Sequence, residues 1–164
     1  MSGPVTRALG SSQLATAIKG GLQAMGAYSG RVDGAIRRAF VDSIDLDEAT
    51  RPAHPNDHRW DYLIGHATTS NVVGVEVHSA ETSQVSVVIE KKKRSRTHLQ
   101  AHLAAGTSVA AWYWVASGKV SFPTFDKQKI RLAQEGIAMV GSSLQAKHLA
   151  SLQPARAAPR KPVR

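Results

Sequence analysis

Between Ala80 and Ala104 the chain carries neither glycine nor proline, and Val85, Val88, Ile89, Leu99 and Leu103 keep one helical phase for five turns. A strand alternates with period two and would not hold those five residues in one arc at 100° per residue. A long amphipathic helix is therefore expected, stopped at Gly106. Just before it, residues 60–65 and 72–78 are both strand-like and are joined by the polar turn ATTSN, the pattern of a β-hairpin. After it, SVAAWYWVASGKVSF is aromatic and β-branched, as an inner strand with a short return would be. Strands separated by helices imply an α/β sandwich with a mixed sheet that includes a parallel or crossover pair.

The remaining segments fill in the layers. Leu14, Ile18, Leu22 and Met25 have helical spacing behind Ser11 or Ser12 as cap, although the Gly20-Gly21 pair weakens that helix. Residues 34–48 are expected as a second helix, with Ile36, Phe40, Val41 and Ile44 on one face. It ends in the acids Asp42, Asp45, Asp47 and Glu48. RPAHPNDHR is a loop by its prolines and asparagine. DKQKIRLAQEG reads as a helix with Asp126 as cap and Gly136 as stop, IAMVG as a short buried strand, and SSLQAKHLASL as a last helix. The expected fold is a three-layer α/β sandwich, its central mixed sheet flanked by helices.

At 164 residues the chain suits one domain, over residues 1–150, with a basic tail over 151–164 expected to be disordered. The net charge is +9, of which Arg156, Arg160, Lys161 and Arg164 in the tail supply four. That excess suits a polyanionic partner, nucleic acid first. A homodimer is left open. Cysteine is absent, so disulfides and thiolate metal sites are excluded. No run is long enough for a membrane span, and the first residues lack a signal-peptide core, so a cytoplasmic protein with no membrane partner is expected. The chain has no P-loop, GxGxxG, GxSxG or CxxC, which argues against nucleotide hydrolysis, Rossmann-type cofactor binding and α/β-hydrolase chemistry.

Two acids stand out because they sit among apolar residues. Asp61 opens the first strand of the hairpin, and Glu76 lies between Val75 and Val77 in the second. Burying a carboxylate is costly unless something pairs with it. Acids on adjacent strands can converge on one hard divalent cation such as Mg²⁺, which prefers oxygen ligands. Such a cation activates water and stabilises charge on a phosphodiester, and a cationic side chain beside the attacking water would complete the site.

Asp61, the strand triplet Glu76-Val77-His78, the long helix and the aromatic strand together resemble the PD-(D/E)xK, or restriction-endonuclease-like, nuclease superfamily over roughly residues 34–141. The resemblance implies an αβββαβ core that holds an Asp, then an acid-x-Lys triplet on the next strand, around Mg²⁺ or Mn²⁺. It implies a metal-dependent nuclease acting on phosphodiesters, of DNA rather than RNA, with Asp61 and Glu76 as metal ligands. Glu48 would be the additional helix acid that many members carry. The alternative is a nuclease fold that has lost catalysis and serves as a nucleic-acid- or protein-binding module. Two departures stand against the pattern: histidine occupies the lysine position, and one hairpin precedes the long helix where the family has three strands.

Some members supply the lysine from the long helix. Lys92 points into the arc of Val88, Ile89 and Leu99 and is the first candidate, with Lys91 behind it. KKKR reads equally well as a solvated charge run. If residues 84–92 were instead a strand, Glu90 and Lys92 would join Glu76. His78 shares a face with Glu76 by the two-residue period. It stands in for the lysine, ligates a metal such as Mn²⁺, or simply bonds a neighbour. His98 and His102 lie one turn apart, as zinc ligands can, but the glutamate of HExxH is missing. Trp112 and Trp114 share a strand face, either in the core or at an interface.

Overall fold

The computed structural model describes residues 2–118 and 127–155. Its strands are β1 (Lys19–Gly20), β2 (Phe40–Asp45), β3 (Tyr62–His66), β4 (Asn71–His78), β5 (Val109–Ala116) and β6 (Ile137–Met139). The helices are α1 (Pro4–Leu9), α2 (Leu46–Thr50), α3 (Val85–Leu99), α4 (Lys127–Gln134) and α5 (Ala146–Leu149). One six-stranded mixed sheet runs in the order β1-β2-β3-β4-β5-β6. Pairing is antiparallel from β1 through β4 and parallel across β4-β5 and β5-β6. The expected hairpin is β3-β4, and the crossover that makes β5 parallel to β4 is α3.

Two cores cover the two faces of the sheet. Val5, Leu9, Val85, Val88, Ile89, Leu99 and Leu132 bring α1, α3 and α4 onto a face that includes Leu63, Val72, Trp112 and Trp114. Met25, Val32, Leu144 and Leu149 cover the other face, with Ile64, Val73, Val75, Tyr113 and Val115. The tryptophan pair of β5 is thus core, and the three layers follow from period-two strands buried on both sides.

The expectation for residues 34–48 is corrected. They hold a 3-10 turn at Arg37–Ala39, strand β2 and the start of α2, so β2 joins the β3-β4 hairpin and, with the two-residue β1, four antiparallel strands precede α3. A register shift between Phe40 and Asp42 sends Phe40 into one core and Ile44 into the other. Asp42 is buried on β2 and caps α1, accepting from Val5 N at 3.1 Å, Thr6 N at 2.8 Å and Thr6 Oγ1 at 2.9 Å. The neighbouring strand gives way to it: a Cβ on Gly65 would stand 2.0 Å from Asp42 Oδ1.

Residues 11–25 are not one helix either. They form a 3-10 turn at Gln13–Ala17, capped by Ser12, then β1, then further 3-10 turns over Gln23–Arg31. Gly21 takes φ +52, outside helical geometry. The last helix shrinks to four residues. Gly136, at φ +69, ends the chain's turn after α4, as expected. The Asp126 cap and the return strand after β5 lie outside the described residues. Of the tail, Gln153 O accepts from Asn71 Nδ2 and Ala155 N donates to Thr69 O at 2.8 Å, while residues 156–164 lie outside the described residues. No helix among the described residues is long and apolar enough to cross a membrane.

Candidate active site

Asp61 immediately precedes β3, and Glu76 lies on β4, on the face that α3 covers. The hairpin register sets Tyr62 opposite Val75, which brings the two acids side by side. Each is held by backbone from the other's side of the hairpin: Asp61 N donates to Glu76 Oε1 at 3.0 Å, and Val77 N donates to Asp61 Oδ2 at 3.0 Å. The remaining oxygens turn toward one ammonium. Lys91 Nζ donates to Glu76 Oε2 and stands 3.6 Å from Asp61 Oδ1.

The electrostatics follow from burial. Glu76 is fully buried, and desolvation, then the nearby Asp61 charge, pushes its carboxyl up to about 8 despite the opposing pull of Lys91. Burial also holds Asp61 above the usual aspartate range, against Lys91 and the Val77 N–H. Burial pulls the Lys91 ammonium down, but Glu76 and Asp61 outweigh it and keep Lys91 above its ordinary value. Two carboxylates and one cation thus form a single coupled group.

His78 joins this group at its edge. Its Nδ1 is 3.6 Å from Glu76 Oε2, and its Nε2 pairs with Gln84 Oε1 at 2.8 Å. The same-face expectation from the two-residue period holds. Lys92, the first candidate for the missing lysine, does not reach the acids. It bonds the carbonyl oxygen of Glu135 and lies 5.7 Å from the centre of the Trp112 ring. Consecutive helix residues diverge by 100°, so Lys91 faces β3-β4 while Lys92 faces β5 and the α4-β6 turn. The rival strand over 84–92 is excluded by α3, where Glu90 pairs with Arg94 at 2.9 Å.

Glu48 is exposed on α2, and its side chain makes no hydrogen bond or ion pair among the described residues. The helix acid whose charge reaches Asp61 and Lys91 is Asp47. Its carboxylate accepts from Arg59 Nε at 2.9 Å and Arg51 Nη2 at 2.8 Å, and its N–H donates to Asp61 O at 3.3 Å. Arg59, two residues before Asp61, was legible only as a basic loop residue. The His98-His102 zinc pair also separates, because α3 ends at Leu99 and His102 Nδ1 turns to Ser12 Oγ at 2.6 Å.

Two acids on adjacent strands, with oxygens aimed at a shared cationic point, are a donor set that fits a hard divalent ion. Such an ion would compete with the Lys91 ammonium for Asp61 Oδ1 and Glu76 Oε2. No protein-family model, curated protein or solved structure matches this chain.

Proposed function

We propose that this protein is a divalent-metal-dependent nuclease of the PD-(D/E)xK kind, hydrolysing nucleic-acid phosphodiesters, with DNA the expected substrate. The convergence of Asp61, Glu76 and Lys91 on one point carries this reading. The order α1, β2-β3-β4, α3, β5 supports it, since it supplies the three strands and crossover helix that the superfamily's core requires.

Asp61 and Glu76 would hold Mg²⁺ or Mn²⁺, which supplies an activated water and a counter-charge for the phosphate when bound. Lys91 is then released from its carboxylate contacts to stabilise the phosphate charge that builds in the transition state. His78 stays hydrogen-bonded to Gln84 at the rim, within reach of a proton leaving the site. Asp47, fixed by Arg51 and Arg59, places its backbone N–H on the Asp61 carbonyl and so positions that strand end. Exposed Lys93, Arg94 and Arg96 on α3, together with the basic tail sequence, suit contacts to the phosphate backbone that carry no sequence information.

The direct Lys91–Glu76 bond also favours a second reading, in which the ammonium permanently neutralises the acids and the protein only binds nucleic acid. Plasmid nicking with Mg²⁺ or Mn²⁺ separates the two. Nicking by the wild type that disappears in Asp61→Ala and Glu76→Ala, with folding intact, supports the nuclease. Absence of nicking, with salt-sensitive gel retardation retained in both variants, overturns it in favour of the binding module.

A further inference from the structure

The loop that runs into Asp61 carries a second group of ligating side chains. His54 and Asp57 lie on it, and His98 faces them from α3, two turns beyond Lys91 on the same side of the helix. His98 Nε2 is 3.0 Å from Asp57 Oδ2, and His54 Nδ1 is 3.7 Å from the same oxygen. All three ligating atoms lie within 4.8 Å of one another. Zinc holds such donors at about 2.1 Å, which in a tetrahedron separates them by about 3.4 Å. The separations of 3.0 and 3.7 Å bracket that value.

The cluster is built rather than incidental. Arg59 Nη1 donates to the carbonyls of both His54, at 2.7 Å, and Asp57, at 3.1 Å, and its Nε is anchored on Asp47. The backbone of both loop ligands is therefore set by one guanidinium. The His98 side chain is only 8 % exposed, and its Nδ1 has no hydrogen-bond partner among the described residues. Its polar contact lies entirely on the Asp57 side. The His54 and His98 rings stack, with centroids 3.5 Å apart and planes within 7°. His54 must turn its ring for its lone pair to converge, and at 33 % exposure that rotation meets water rather than core.

Two imidazoles and one carboxylate suit borderline transition metals, whereas the oxygen-only pair Asp61-Glu76 suits Mg²⁺. We propose that His54, Asp57 and His98 bind one transition-metal ion of the zinc class, and that this ion fastens the loop over residues 51–59 to α3. The loop continues directly into Asp61, and α3 carries Lys91, so the ion braces both sides of the carboxylate–lysine group without entering it. Ser95 Oγ, between Lys91 and His98 on that helix, already accepts from Trp60 N at 2.7 Å and marks the same seam.

The test is calorimetric titration of Zn²⁺ into the metal-free full-length chain, alongside thermal unfolding and the absorption of the Co²⁺ form. One equivalent should bind, raise the unfolding temperature and persist in excess Mg²⁺. Binding should be lost in His54→Ala and in Asp57→Asn, the latter keeping an acceptor for His98, and kept in Glu76→Gln. No stoichiometric binding by the wild type overturns the proposal. So does binding that survives both loop substitutions, or that is lost instead in Glu76→Gln.

Discussion

Replacing Glu76 by glutamine should stabilise the metal-free protein, and by more as the pH rises. The carboxyl is fully buried and its pKa is pushed from 4.5 up to about 8, chiefly by desolvation. A raised acid keeps its proton in the native state where the unfolded chain has already released it. Its contribution is thus fully present below about 4.5 and lost as pH climbs through about 8. Each pH unit across that interval costs about 1.4 kcal/mol, which bounds the loss at about 5 kcal/mol. Glutamine does not titrate and keeps an oxygen for the Asp61 N–H, and the pull of Lys91 on the carboxylate is already contained in that raised value. Relative to wild type, the variant should gain about 3–4 kcal/mol between pH 5 and pH 8. Urea unfolding followed by tryptophan fluorescence, with chelator present, measures both curves. Parallel curves from pH 5 to 8.5 would refute the assignment of Glu76 as a strained, desolvated acid.

Three further outcomes follow from other contacts. Lys91→Met should lower metal-dependent nicking by about 10²–10³-fold, as loss of a positioned transition-state cation does. Lys92→Met should leave nicking unchanged and cost about 1–2 kcal/mol of stability through its lost contacts with Glu135 and Trp112; nicking assays on both variants, each checked by thermal unfolding, decide the pair. Asp42→Ala should destabilise by about 3 kcal/mol, because Val5 N, Thr6 N and Thr6 Oγ1 all lose their acceptor. A calorimetric unfolding temperature lowered by about 10 °C is expected, and a fall of under 2 °C, roughly the noise of such substitutions, would contradict the capping role.

The chain's periodicities by themselves determined the β3-β4 hairpin, the helix α3, the aromatic strand β5 and the pairing of Asp61 with Glu76. Each rests on a local repeat whose physical meaning survives in any fold: period two for strands, 100° per residue for helices, and the expense of a carboxylate among valines. Residues 40–45 escaped that logic. The bulge between Phe40 and Asp42 splits their apolar side chains between two cores, so no alternation remains to be read. Asp42, which looked like one of a run of helix acids, is buried because a helix thirty-six residues away needs an acceptor. Only the tertiary structure chose Lys91 over Lys92. Both belong to one charge run, and the choice depends on which strands lie beneath each side of α3. Asp47 in place of Glu48, and His98 facing His54 and Asp57 rather than His102, have the same cause. Contacts between residues distant in sequence are fixed by how elements pack, and packing leaves no local period to detect.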